Sequence, residues 1–163
     1  MRINAGFMLL ELCIVVALFI LISAYTISSF NGTQAIVTRV QTLLLQSTIR
    51  HAQWHAISSG KQQQVVFDVD SNTYQYNNQI YQLPKPVVFG APTLAKGPPA
   101  HPTHAITHPV TFVNNQAICF ASGAVSSGTV YLTNGATSFA LSNAVSFFSY
   151  LRVYRYNNGW QRI

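Results

Sequence analysis

From Gly6 to Ile27 the chain reads GFMLLELCIVVALFILISAYTI. Past the glycine this is a run of 21 residues whose sole charge is Glu11. At about 1.5 Å per residue it measures roughly 30 Å, the depth of a bilayer's hydrocarbon core. Ahead of it stands MRINAG with one cation, Arg2, which by the positive-inside rule places the N-terminus in the cytoplasm. Three readings of the run compete. A secretory signal peptide would have an unbroken apolar region, and Ile22-Ser23-Ala24 would serve as its cleavage site. A simple signal anchor has no use for Glu11, because a carboxylate near the apolar centre costs about 2.5–3.5 kcal/mol on insertion scales. The third reading gives the acid a partner. Cleavage after Gly6 would leave Phe7 with a free amine four residues from Glu11. On neighbouring subunits these two ions would neutralise each other inside an apolar bundle, where a paired ion is tolerated and an orphan is costly.

Downstream, apolar residues fall at helical spacing from Thr33 to Ile57: Ile36, Val40 and Leu43, flanked by Val37 and Leu44, then Ala52 and Ile57. Ser58-Ser59-Gly60 is a helix stop, with Gly60 as a left-handed cap. The period then changes to that of strands. Gln64–Val69, Tyr74–Tyr76 and Gln79–Leu83 are separated by turns at Asp70-Ser71-Asn72 and Asn77-Asn78. Residues 84–109 hold all seven prolines together with His101, His104 and His108, and read as a long irregular loop. Strands resume at Val110–Val113, Ala117–Phe120, Thr129–Leu132, Ser138–Leu141, Val145–Phe148 and Leu151–Tyr156, with turns at Asn114-Asn115, Asn134-Gly135 and Asn157-Asn158-Gly159.

Gly6-Phe7-Met8-Leu9-Leu10-Glu11-Leu12, followed by an aliphatic run, resembles the prepilin processing site of type IV pilin-like proteins. The resemblance implies cleavage after Gly6 by the prepilin peptidase, N-methylation of Phe7, and filament assembly through Glu11. It departs from many pilins at Ser28, where they carry a proline; Ser28, Ser29 and Gly32 loosen a helix less sharply. A second likeness refines the first. Val40–Gly60 running into Gln64-Val65-Val66-Phe67 is similar to the helix-to-strand passage of FimT/GspH minor pilins and pseudopilins. So is Ile118-Cys119-Phe120-Ala121-Ser122-Gly123, followed by Ser127-Gly128-Thr129-Val130-Tyr131-Leu132.

Nine Lys and Arg face three acids, Glu11, Asp68 and Asp70, for a formal net charge of +6. A surface so poor in acid attracts phosphates and other anions and leaves little for carboxylate chemistry. The richest cationic segment is C-terminal, where Arg152, Arg155 and Arg162 interleave with Tyr150, Tyr154, Tyr156 and Trp160. Arginines for phosphates and rings for bases are the means by which single-stranded nucleic acid is held. Arg152, Tyr154, Arg155, Tyr156, Trp160 and Arg162 are therefore the candidate DNA-binding residues. DNA-binding FimT-like pilins carry a Gly-Arg-x-Arg element. Leu151-Arg152-Val153-Tyr154-Arg155 lacks that glycine and spaces the arginines one residue wider, which in a regular strand turns Arg152 and Arg155 to opposite faces. The competing reading is an ordinary final hairpin whose rings pack in the core.

Other constellations point to no catalyst. The loop histidines lack a carboxylate or cysteine nearby, and His51/His55 lack the glutamate of a zinc-binding HExxH. Cys13 and Cys119 are too far apart in character to form a framework and read as small apolar side chains. No cofactor, metal or enzyme activity is expected.

The expected fold class is α+β and pilin-like. A long N-terminal helix, apolar in its first half and amphipathic in its second, packs on a mostly antiparallel β-sheet domain. Its parts are a leader (1–6), a transmembrane or filament-core helix (7–30), an amphipathic helix (31–60) and a β-rich domain (61–163). The expected function is that of a minor pilin priming or capping a type IV filament, with DNA as a candidate ligand; the alternative is a minor pseudopilin of type II secretion. Expected partners are other pilins or pseudopilins, the prepilin peptidase, the inner-membrane assembly platform, the membrane and DNA. The expected location is the bacterial inner membrane, single-pass, with the N-terminus cytoplasmic and the C-terminal domain periplasmic, and then the pilus or pseudopilus.

Overall fold

The computed structural model describes residues 5–93, 95–97, 103–144 and 150–163, and within these the side chains of all but 5–9 and 24–33. The expected strand Val145–Phe148 and His101 lie outside the described residues. Helical backbone covers Ala5–Ser59, and over the residues whose side chains are described it comprises two helices, α1 (residues 10–23) and α2 (residues 34–59). α1 lies in the compact unit Met1–Gln34, and α2 from Ala35 onward lies in the unit Ala35–Ile163. This corrects the expected fold class. There is no single long spine apolar over its first half, and neither helix is apolar throughout, since α1 holds Glu11 and α2 holds Arg39 and Arg50.

The expected single-pass inner-membrane placement is corrected as well. Among the described residues no helix is long and apolar enough to cross a membrane. Residues 10–23 cover only about 21 Å at the helical rise, short of the roughly 30 Å that a span needs.

In the second unit the strands form two antiparallel sheets rather than one. The first comprises β1 (Gln63–Asp68), β2 (Thr73–Tyr76), β3 (Gln79–Gln82) and β5 (Gln116–Cys119), in the order β3-β2-β1-β5. The second comprises β4 (Val88–Phe89), β6 (Gly128–Thr133), β7 (Ser138–Asn143), β8 (Arg152–Tyr156) and β9 (Trp160–Arg162), in the order β4-β6-β7-β8-β9. Asparagines make the tight corners: Asn77 and Asn78 take φ of 48° and 61°, the left-handed pair that a two-residue hairpin between β2 and β3 requires. The proline-rich stretch is not wholly irregular. Val87 and Phe89 enter the core, β4 pairs with β6, and Lys96 bridges Ala105. The expected strand at Val110–Val113 reduces to an isolated bridge between Val110 and Val130, followed by a 3-10 turn at Val113–Asn115.

One core serves both sheets and α2. The buried stripe of α2 is Thr38, Thr42, Leu45, Ile49, Ala52 and Ala56, spaced alternately four and three apart, as a single helix face demands. It is not the stripe expected from hydropathy. Of that set only Ala52 is buried, whereas Ile36, Val40, Leu43 and Leu44 are exposed. Threonine hides the true face in the sequence. The Thr42 hydroxyl donates to the Thr38 carbonyl of its own helix (2.8 Å), which lets a polar side chain pack as an apolar one. The alanines keep the helix low over β1 and β5, where Val65, Ala117 and Cys119 are fully buried.

Candidate functional site

The C-terminal hairpin closes on the turn Asn157–Gly159, where the Asn157 N–H donates to the Gly159 carbonyl (2.9 Å) and Asn158 takes φ of 54°. Its register pairs Tyr154 with Arg162 and Tyr156 with Trp160. On its other side β8 pairs residue for residue with β7, Arg152 with Ser142 and Arg155 with Phe139, without a bulge. Strand alternation then puts Arg152, Tyr154, Tyr156, Trp160 and Arg162 on one face. Arg155 stands on the other, beside the core residue Phe139. Five of the six candidate residues are thus brought together and one is not.

Two of the three rings among them, Tyr156 and Trp160, are committed to packing. Trp160 meets Tyr156 edge-on at 5.1 Å and Tyr131 at 5.3 Å, and its indole N–H donates to the Lys96 carbonyl (2.9 Å). Gly97 passes so close that an added Cβ would meet the Trp160 indole nitrogen at 2.8 Å. Trp160 therefore pins the 95–97 segment to the sheet, which is the structural role that the ordinary-hairpin reading assigns it. Tyr150, by contrast, is 66% exposed.

The arginines have a different setting. A cavity of about 250 Å³ between α2 and the hairpin is lined by Arg39, Leu43, Gln46 and Arg50 from the helix, and by Tyr150, Leu151, Arg152, Val153, Arg162 and Ile163 from the C-terminal segment. The helix residues sit at i, i+4, i+7 and i+11, one face adjoining the buried stripe. The cavity's walls are tied together by the Gln46 amide, which donates to the Leu151 carbonyl (2.8 Å), and the buried Leu151 and Val153 make part of its lining apolar. A second cavity of about 190 Å³ shares Arg39 and Ile163 and adds Ile36, Phe139 and Arg155. Arg39 and Arg50, which hairpin composition does not reveal, complete the site; their spacing on α2 is the signal that finds them.

No acidic side chain of the second unit belongs to this cluster. Asp68 and Asp70 lie at the β1–β2 turn, where Asp68 Oδ1 accepts from the Asp70 and Ser71 N–H groups (3.1 and 3.3 Å). Hydrogen bonding from the Ser71 side chain first, and then from the Ser71 and Asp70 N–H groups, holds the Asp68 carboxyl below the usual range. Four guanidinium groups therefore line one concavity without an Asp or Glu among them. Another cavity, about 470 Å³, is lined chiefly by the amides Gln62, Gln63, Gln64 and Gln75 with Asn77 and Asn78 and carries no charge.

The remaining candidates are dispersed. Glu11 is exposed on α1, while Gly6 and Phe7 lie in helical backbone whose side chains are outside the described residues. His55 Nδ1 lies 3.1 Å from the Tyr76 hydroxyl, and His51 stacks edge-on to the same ring at 5.6 Å, so both brace α2 on β2. Among the described residues no three groups of metal-ligating type gather. Cys119 is buried and Cys13 exposed. Comparison with protein-family models, with curated proteins and with solved structures found no match to this chain.

Proposed function

We propose that the chain is a minor pilin of a type IV filament system, a subunit that packs through its N-terminal helix to prime or cap the filament and exposes a cationic domain to DNA. Its partners are other pilins, the prepilin peptidase and the assembly platform; the role is structural and not catalytic. The observation that carries the reading is aliphatic surface left without a cover. Leu10, Leu12, Ile14 to Val16, Leu18, Ile20 and Leu21 of α1 are all exposed around Glu11, and α2 exposes Ile36, Val40, Leu43 and Leu44 opposite its buried stripe. Uncovered aliphatic area at about 25 cal/mol per Å² is a strong drive to associate. Helices of further copies are suited to satisfy it, and Glu11 then takes the Phe7 amine of a neighbour as its counter-ion.

The test is Glu11→Ala, scored by incorporation of the variant into sedimentable filaments beside the wild-type chain, together with mass spectrometry of the assembled subunit. The expected result is an N-terminus at methylated Phe7 in the wild type and failure of the variant to incorporate. Normal incorporation, or a subunit that retains Met1, refutes the proposal.

A further inference from the structure

The arginine-lined cavity between α2 and the C-terminal hairpin is larger than a single anion needs. Arg39 and Arg50 lie eleven residues apart on one face of α2, about 16 Å along the helix axis. Two guanidinium groups so separated are not placed to grip one phosphate together, yet they suit two separate charges of an extended polyanion. Arg152 and Arg162 line the cavity from the C-terminal segment. They share a strand face, because Arg162 pairs with Tyr154, two residues from Arg152. Among the described residues the large exposed ring at the rim is Tyr150, and Leu43, Leu151 and Val153 make part of the lining apolar. Arginines from both elements, an apolar part of the lining and an exposed ring match a single strand of nucleic acid. Its phosphates meet arginine, and a base meets the ring and the apolar lining.

We infer that this cavity is a phosphodiester cleft for single-stranded nucleic acid, with Arg39 and Arg50 of α2 as its binding residues alongside Arg152 and Arg162, and with Arg155 outside it. The inference rests on the DNA-contact part of the proposed function and is independent of filament assembly. It relocates the contact. The hairpin rings Tyr156 and Trp160, already engaged with each other and with the Lys96 segment, stay in the structural role, and the helix supplies half of the charge.

The experiment is fluorescence anisotropy of a labelled dT12 strand with the full chain held monomeric in a non-ionic detergent, across a salt series. The wild type is compared with Arg39→Gln/Arg50→Gln, Arg152→Gln/Arg162→Gln, Arg155→Gln and Lys85→Gln. All of these positions are exposed, and folding is verified by circular dichroism. Removing charge-assisted bonds to phosphate lowers affinity about tenfold or more. It also reduces the slope of log K against log salt by about 0.7 for each phosphate of a single strand that is no longer neutralised. The expected result is that both double variants show these reductions, that Arg155→Gln and Lys85→Gln remain within about twofold of wild type, and that millimolar inorganic phosphate competes only weakly. If dT12 binds the wild type and the helix double variant binds equally well, the cleft is refuted while DNA contact survives. Equal weakening in all variants also refutes it, since the attraction is then diffuse charge. Absence of salt-sensitive binding by the wild type removes both the cleft and the DNA part of the proposed function.

Discussion

Cys119 offers a quantitative test of the core. It ends β5 with no exposed surface, and its thiol points at the Ile49 carbonyl at 3.7 Å, under the helix that covers the first sheet. Burial pushes this thiol up from 9.0 to about 12. At pH 8 the thiolate fraction is then about one in ten thousand, against about one in ten for an ordinary thiol, so protonation alone slows thiol–disulfide exchange about a thousandfold. The assay is reaction with an aromatic disulfide reagent in a Cys13→Ser background, which removes the exposed thiol, compared between the native and the urea-unfolded chain. The same burial fixes the sign of the pH dependence. The fold opposes ionisation, so the unfolded chain releases this proton first. The contribution to stability is intact below about pH 9 and declines as pH rises towards 12, by up to about 1.4 kcal/mol per pH unit. Tyr131, whose hydroxyl burial also pushes up to about 12, acts in the same direction from about pH 10. Native labelling within tenfold of the unfolded rate at pH 8, or stability flat from pH 9 to 11, would refute the packing described for α2 on β5.

Two further substitutions probe the same core. Gly128→Ala places a methyl group against the Phe112 ring, itself stacked on Phe67 at 5.9 Å. A stability lower by about 1–3 kcal/mol is expected from urea denaturation, and an unchanged midpoint would contradict the close approach. Thr42→Val keeps the shape of a buried side chain whose hydroxyl serves only its own helix. A change within about 1 kcal/mol is expected by the same measurement, and a drop above about 2 kcal/mol would show that the hydroxyl has a partner in the core.

What the sequence conveyed depended on how local the signal was. Turns carried by Asn77-Asn78 and Asn157-Asn158-Gly159 were legible because left-handed φ is a property of the residues themselves, and β2, β3 and β8 beside them fall within a residue of the expected bounds. The helix face was not legible. Ile36, Val40, Leu43 and Leu44 outweigh Thr38 and Thr42 on any hydropathy count, yet the threonines are buried and the aliphatics are not. The alternating pattern also gave no means of telling one sheet from two, since the partition depends on which strand edges meet. Nor did it mark Val88–Phe89, too short for a period. At the site, the arginines of the hairpin were visible as a cluster in sequence. Their companions Arg39 and Arg50 lie about a hundred residues away and join them only through the fold, by way of Gln46 and Leu151.

Leu43 and Ile36 have a double position with a thermodynamic consequence. Both belong to the uncovered aliphatic strip of α2, and each also lines one of the two arginine cavities. Any neighbour that settles on the strip therefore reshapes the rim of the cation-lined hollow, and any strand lying in the hollow alters what a neighbour meets. Two occupancies that share wall atoms are coupled, and coupling is reciprocal: the factor by which assembly changes anion affinity equals the factor by which the anion changes assembly.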